Sequence, residues 1–290
     1  LANRREYVDY GASTSIYSLP YRRQGVAGRV TYDFGSRYLA EFNFGYNGSE
    51  NFPNGQKYGF FPSASIGWVV SNEDFWNVKA ISHLKFRGSW GKVGNDQIGG
   101  DRFLYLTTVN KNAGGYYFGE SQRWYGGMSE GKMGVSNVTW EVANKKNVGL
   151  DVKFFKDKLS LVADFFWEKR SGIFLKRQQI PGYLGYLSSS IPYGNIGIVE
   201  NHGIDGSIEY KNTTEKGFYY SAMANISFAR NKVIENDEPR QKYDYLSTKG
   251  RPIGQSFELI AEGIFQSEEE IASSPKHTFS PVHVGDIKYK

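Results

Sequence analysis

The chain has 290 residues, among them 34 glycines, 6 Trp, 21 Tyr, 20 Phe and no cysteine. The absence of cysteine excludes a disulfide framework, a thiolate metal site and a cysteine nucleophile. The 35 basic and 30 acidic residues give +5, interspersed without a basic block, which excludes a nucleic-acid groove. High glycine and aromatic content suits strands and turns rather than helix bundles or disordered tails.

Period-two alternation runs through most of the chain and predicts strands in antiparallel pairs. The first carries Val26, Gly28, Val30, Tyr32 and Phe34 on one face and Ala27, Arg29, Thr31 and Asp33 on the other. After Gly35-Ser36 the second sets Tyr38, Ala40, Phe42, Phe44 and Tyr46 against Leu39, Glu41, Asn43, Gly45 and Asn47. The third sets Ala64, Ile66, Trp68 and Val70 against a serine- and glycine-rich face. The fourth sets Leu84, Phe86, Gly88 and Trp90 against Lys85, Arg87, Ser89 and Gly91. The same pattern returns at 147–154, 159–168, 204–210 and 219–229, where Phe165, Ile226 and Phe228 share the apolar face. Asp164, Glu168, Asp205 and Glu209 fall on the polar one.

Over these eight strands one face has 36 positions without a charge, and the other has 36 with eleven charges. Such separation requires a sheet with two different neighbours. Two features make the neighbour of the apolar face lipid. Fifteen of its positions are aromatic, many near strand ends (Tyr32, Phe34, Tyr38, Tyr46, Trp90, Trp167, Tyr210, Tyr220), as in the girdles of a membrane barrel. Connections also alternate: short at Gly35-Ser36, 156–158 and 211–217, intermediate at 71–83, and long at 48–58, 94–146, 171–195 and 233–249. That is the outer-membrane barrel pattern of short turns on one side and long loops on the other.

Phe42, Phe44, Ile66, Trp68, Phe86, Phe165, Ile226 and Phe228 are therefore expected to face lipid. Arg29, Glu41, Lys85, Arg87, Asp164, Glu168, Asp205 and Glu209 are expected to face a lumen. The small residues of the polar face cannot fill an interior, so the lumen is expected to be wide. Eight to ten strands would leave two edges unpaired in lipid, so the sheet is expected to be part of a larger barrel. No stretch offers the roughly 18 apolar residues of a membrane helix, and no segment reads as a signal peptide.

Catalytic constellations are not found. None of His83, His202, His277 and His283 stands in an HExxH frame, and no GxGxxG string occurs. Gly126 to Lys132 has P-loop glycine and lysine spacing, but Met133 stands where Ser or Thr is required. No catalytic residue, metal site or cofactor is expected. Loop aromatics, Tyr116, Tyr117, Trp124, Tyr125, Tyr183, Tyr186 and Tyr193 with Phe118, are the candidate ligand contacts, since ring faces suit sugars and peptides. Ser267 to Ile271 reads as a capping box opening a short loop helix.

Ordered strings then carry a family resemblance: Gly28-Arg-Val-Thr-Tyr-Asp-Phe34, Gly59-Phe-Phe-Pro-Ser-Ala-Ser-Ile-Gly-Trp68, Leu84-Lys-Phe-Arg-Gly-Ser-Trp-Gly-Lys-Val-Gly-Asn95 and Asn147-Val-Gly-Leu-Asp151. Asn195-Ile-Gly-Ile-Val-Glu-Asn-His-Gly-Ile-Asp205, Pro252-Ile-Gly-Gln255, Gly263-Ile-Phe-Gln-Ser267 and Gly285-Asp-Ile-Lys-Tyr289 continue them. The chain resembles the SusC/RagA family of TonB-dependent outer-membrane transporters of Gram-negative bacteria. The resemblance implies an all-β fold: an antiparallel transmembrane β-barrel fragment, about 8–10 strands of a roughly 22-stranded barrel, with long extracellular loops. It implies that residues 1–290 are part of one barrel domain, without the family's plug domain, TonB box and C-terminal strands. It also implies import of an oligosaccharide or a peptide across the outer membrane, with a SusD-like lipoprotein and TonB as partners and no nucleic acid. Three alternatives stay open: a soluble carbohydrate-binding or adhesive β-protein, a siderophore-type receptor, and a barrel enzyme using Asp164 or Glu168.

Overall fold

Alternation becomes one antiparallel sheet of eight strands in the computed structural model, which describes residues 22–98, 102–186, 188, 190–276, 278 and 280–290. Its first four strands are β1 (Arg23–Phe34), β2 (Tyr38–Ser49), β3 (Tyr58–Val69) and β4 (Ile81–Asn95). A long excursion follows, holding the short strands β5 (Val109–Asn110), β6 (Gly115–Phe118), β7 (Arg123–Gly126) and β8 (Ser129–Glu130), which pair as nested hairpins. The sheet resumes with β9 (Glu141–Phe154), β10 (Leu159–Lys176), β11 (Tyr193–Thr213) and β12 (Tyr219–Glu235). Beyond it lie β13 (Ala261–Ile264), helix α1 (Glu268–Ser273) and β14 (Ile287–Tyr289), with β13 and β14 paired. Each sheet strand lies beside its predecessor, in the order β1-β2-β3-β4-β9-β10-β11-β12.

The short turns form where local chemistry closes them. At Gly35-Ser36 both residues are left-handed, the turn that matches strand twist, and the Ser36 N–H donates to Asp33 Oδ1 at 2.7 Å. At the β11–β12 turn the Phe218 N–H donates to Thr214 Oγ1 at 3.1 Å. The expected helix forms at Ser267, whose hydroxyl accepts from the Glu270 N–H, while Glu270 accepts from the Gln266 N–H at 2.8 Å.

Sequence and structure differ in strand length. Alternation of apolar with polar residues stops near Trp167, yet β10 continues to Lys176, and β11 and β12 are 21 and 17 residues long. Only Leu159 to Trp167, nine residues, carry the apolar stripe of β10, which matches the 9–11 residues a tilted strand needs to cross a bilayer. Above that level both faces meet water or loop, so pairing persists while the hydrophobic signal disappears.

The apolar face is uncovered. Val30, Ile66 and Ile226 are 66%, 70% and 66% exposed, and no second layer lies over them among the described residues. The whole chain exposes 20606 Å², where a compact monomer of 32.8 kDa would expose about 12,500 Å². A soluble two-layer β-protein, one of the alternatives, is not what forms. β1 and β12 are the edges of the sheet, and their unpaired backbone groups need neighbours in lipid, so the sheet is an arc of a larger barrel.

The buried core sits at the long-loop end. Phe52, Ile98, Val135, Val138 and Phe174 form it, with Leu104, Tyr105, Trp140 and Tyr193 against it. Asn195 ties the excursion to the wall: it accepts from the Thr139 N–H at 2.9 Å and donates to the carbonyls of Thr139 and Gly172 at 2.8 and 2.7 Å. Gly172 makes this contact at a bulge of β10, with φ of +69°. Asn195→Ala should free the excursion, so that trypsin cuts at Lys111, Arg123 and Lys132 faster while the strands stay protected.

The loop after β12 folds round one carboxylate. Burial opposes ionisation of Glu238, but donation from the Thr248 hydroxyl (2.8 Å), the Thr248 and Lys249 N–H groups (2.9 and 3.3 Å) and the Ser247 hydroxyl (3.2 Å) outweighs it. The carboxyl is held below the usual carboxylate range. A depressed carboxyl stabilises the fold above its unfolded pKa, and that contribution is lost as pH falls through the folded one. Acidification below the ordinary carboxylate range should therefore raise amide exchange at Thr248 and Lys249, and Glu238→Gln should remove that pH dependence.

Candidate functional site: the polar face and the mouth of the wall

Every polar residue picked from alternation falls on one face. Arg29, Glu41, Lys85, Arg87, Asp164, Glu168, Asp205 and Glu209 occupy equivalent register positions. Phe42, Phe44, Ile66, Trp68, Phe86, Phe165, Ile226 and Phe228 occupy the opposite one.

One ladder row organises the polar face: Gly67, Arg87, Gly149, Asp164, Asp205 and Ser227 follow one another across six strands. The Arg87 guanidinium donates to Asp151 through Nε (3.0 Å) and a terminal nitrogen (2.9 Å), and to Asp164 at 3.0 Å. It reaches Asp164, two strands away, by crossing directly over Gly149. A Cβ there would lie 2.6 Å from the Asp164 carboxylate and 2.7 Å from the guanidinium carbon. Asp205 stands beside Asp164 in register and accepts from the Ser227 hydroxyl at 2.5 Å.

Other charges are matched in the same way. Glu41 accepts from Arg29 and, at 2.7 Å, from Asn43. Nearer the mouth Arg170 joins Glu141 (2.8 Å) to Glu168 (2.9 Å), and Lys145 lies 3.2 Å from Glu168. Lys85 stands opposite Asp151, and Glu209 opposite Ser160 and Met223. Between β1 and β4 the small residues Ser65, Gly67 and Ser89 leave a trough of about 580 Å³, rimmed by Asp33, Glu41, Lys85 and Arg87. Carboxylates tied this way to arginine make a charge-balanced polar face.

At the mouth, loops stand on the wall. The Trp140 ring lies 5.0 Å from Phe52 and 5.1 Å from Phe61, and its Nε1 donates to the Lys57 carbonyl at 3.2 Å. Tyr193, one of the candidate ligand contacts, stacks on Phe174 at 5.2 Å as part of this core. Tyr116, Tyr117, Trp124 and Tyr125 come together on the β6–β7 hairpin, where Tyr117 meets Trp124 edge-on at 4.9 Å and Phe118 meets Tyr125 at 5.8 Å. All four are more than half exposed. Tyr183 and Tyr186 lie on the β10–β11 loop, apart from that hairpin in sequence, and are also exposed. The P-loop-like Gly126 to Lys132 spans the end of β7, two connecting residues and β8, and no helix directly follows it. His277 lies outside the described residues, as do 99–101, 187 and 189 of the long loops.

At the short-turn end, the Tyr38 hydroxyl and then the Trp68 indole (2.8 Å) donate to Glu73, holding its carboxyl below the usual range, with Arg37 3.4 Å away. Both aromatics thus have an apolar body and a tethered polar tip, the form taken by residues at a membrane–water boundary.

The family described as "TonB dependent receptor-like, beta-barrel" has a model that matches residues 3–289. This chain belongs to the TonB-dependent receptor β-barrel family. It is 32% identical over 236 residues to TonB-dependent receptor SusC of Bacteroides thetaiotaomicron, covering 81% of this chain and 22% of that protein. It is 30% identical over 254 residues to TonB-dependent receptor P3 of Formosa agariphila, covering 83% of this chain and 24% of the relative. Among solved structures, the RagAB peptide importer in its open-open state superposes with a TM-score of 0.68 at 24% identity, over 89% of this chain and 28% of that one. The chain thus spans about a quarter of the length of the curated relatives it matches. The SusC/RagA resemblance and the barrel-fragment fold are both borne out. The family is one of receptors rather than enzymes, and it resides in the outer membrane.

Several members of the TonB-dependent barrel's polar network escape sequence reading. Arg170, Glu141 and Lys145 lie beyond the apolar stripe, where alternation gives no guide. Gly149 does leave a trace: a glycine between Val148 and Leu150 inside a strand marks a close approach. Gly149→Leu should separate Arg87 from Asp164 and lower the unfolding free energy of the detergent-folded barrel by about 1–3 kcal/mol. Urea titration followed by circular dichroism checks this.

Proposed function

We propose that this chain forms a section of the wall of a TonB-dependent outer-membrane importer, lining a wide hydrated passage for a polar nutrient, an oligosaccharide first. Phe42, Phe44, Ile66, Trp68, Phe86, Phe165, Ile226 and Phe228 meet hydrocarbon. Arg29, Glu41, Lys85, Arg87, Asp164, Glu168, Asp205 and Glu209 meet the water of the lumen. The observation that carries this reading is the division of one sheet into an uncovered apolar face and a charge-paired polar face. Gating and energy coupling belong to other parts of such an importer, through TonB, with a SusD-like lipoprotein over the long-loop side.

The wall performs no bond chemistry. It offers paired charges and small residues, so that a hydrated cargo moves past hydrogen-bonding groups without a deep energetic trap. The exposed rings of Tyr116, Tyr117, Trp124, Tyr125, Tyr183 and Tyr186 provide stacking faces for sugar rings at the mouth, while Tyr193 supports them from the loop core. A peptide cargo is the second reading, favoured by the fold shared with the RagAB peptide importer.

Phe42→Arg and Ile226→Arg in the full-length protein should each cost about 2–4 kcal/mol of stability in lipid, as arginine does near mid-bilayer. Ser65→Arg, on the opposite face, should cost far less. Unfolding titrations of bilayer-inserted protein read the difference, and equal costs on both faces would overturn the reading. For the cargo, Tyr116→Ala with Trp124→Ala should reduce cellular uptake of oligosaccharide severalfold while leaving the barrel folded.

A further inference from the structure

The apolar face changes character at its long-loop end. Two successive register rows there are Trp90, Lys146, Trp167, His202, Arg230 and then Lys92, Asn144, Lys169, Glu200, Lys232. They stand on the same side of the sheet as Phe86, Phe165 and Ile226, directly above the charge-free band. Five cations share these rows with one carboxylate, and that carboxylate, Glu200, is matched by Lys169 at 3.3 Å. Lys146 lies over the Trp167 ring at 5.1 Å and Arg230 over Phe228 at 5.7 Å, so their charges are carried on aromatic faces. The polar face, by contrast, matches its arginines with carboxylates.

Beneath these rows the same strands form a groove of about 650 Å³. Ala163 and Gly206, neighbours in register, make its floor, and Leu150 and Ile226 stand on either side. Phe165 and Ile204 bound it toward the basic rows. Four residues of strand, about 13 Å, separate its floor from Trp167 and His202. An apolar slot capped by an excess of cations complements an amphiphile with a hydrocarbon tail and an anionic head. Neither a neutral lipid nor a free anion uses both halves.

We propose that β9–β12 carry, on their outer face, a binding site for a phosphate-bearing lipid of the leaflet on the long-loop side. One acyl chain occupies the Ala163–Gly206 groove, and the phosphate sits among Lys146, Lys169, Arg230 and Lys232. The proposal rests on the membrane-wall reading above. Such a lipid would fix the depth and tilt of the wall at the level where the loops begin, because the snorkelling cations hold the headgroup while the tail fills the slot.

The test uses the full-length protein in mild detergent, with native mass spectrometry counting retained lipid. Palmitoyl-oleoyl phosphatidylglycerol is titrated against phosphatidylcholine of the same chains, with inorganic phosphate added as competitor. Wild type should retain phosphatidylglycerol preferentially. The quadruple variant Lys146→Gln, Lys169→Gln, Arg230→Gln, Lys232→Gln should lose that preference by about tenfold or more. Ala163→Phe, which fills the groove and leaves every charge, should weaken retention of phosphatidylglycerol as well. Equal retention of both lipids by wild type, or an unaltered quadruple variant, would overturn the proposal. Displacement of phosphatidylglycerol by inorganic phosphate at equal concentration would replace it with a free-anion site. A lipid-free dimer would replace it with a second copy of the chain. Heat-modifiable migration of each variant in SDS gels reports barrel integrity separately, so failure of the membrane reading is seen there first.

Discussion

Backbone amides and carbonyls cannot remain unpaired in hydrocarbon, and the architecture follows from that constraint. A helix satisfies it within one segment; this chain, too polar at every second position for a membrane helix, satisfies it between strands. The meander order brings each strand the partner it needs from its immediate neighbour. Once the ladder is obligatory, side chains alternate by geometry, and one residue of register slip would put Arg87 and Asp164 where Phe86 and Phe165 now stand. Register is therefore enforced from both faces at once.

The two faces solve different electrostatic problems. Toward lipid, the wall removes charge for the nine residues from Leu159 to Trp167 and restores it immediately above. Toward the interior, it keeps charge but matches it, as in the contacts of Arg87 with Asp151 and Asp164 and of Arg170 with Glu141 and Glu168. Matching matters because an unbalanced carboxylate pair, such as Asp164 beside Asp205, would repel itself and hold cations tightly. The arginine and serine donors on either side remove that conflict.

How much was readable in advance follows the same physics. Eight strands, their facing and their short turns were readable, because burial against lipid imposes a strict period of two from Val26 to Phe228. Strand ends were not: β10 and β11 continue past Trp167 and before Ile204, where no apolar neighbour enforces a pattern and backbone pairing alone persists. The loop core was equally hidden, since Phe52, Val138 and Phe174 are far apart in sequence and belong to no periodic run. The ligand candidates show the limit most clearly. Tyr193 and Tyr116 look alike in sequence, yet one is stacked against Phe174 and the other is exposed on a hairpin. Composition cannot distinguish a ring that packs a loop from one left open to solvent.

The anchoring of the mouth has a further consequence. The excursion between β4 and β9 is held to the strands and their loops by Asp96 on Arg23, Arg102 on Glu50, Thr139 on Asn195 and Trp140 on Lys57, all above the bilayer-crossing stripe. Sequence beyond those points, including the β6–β7 hairpin, is free to be exchanged without disturbing membrane insertion. Such a layout lets the outermost loop sequence change independently of the strands that cross the bilayer.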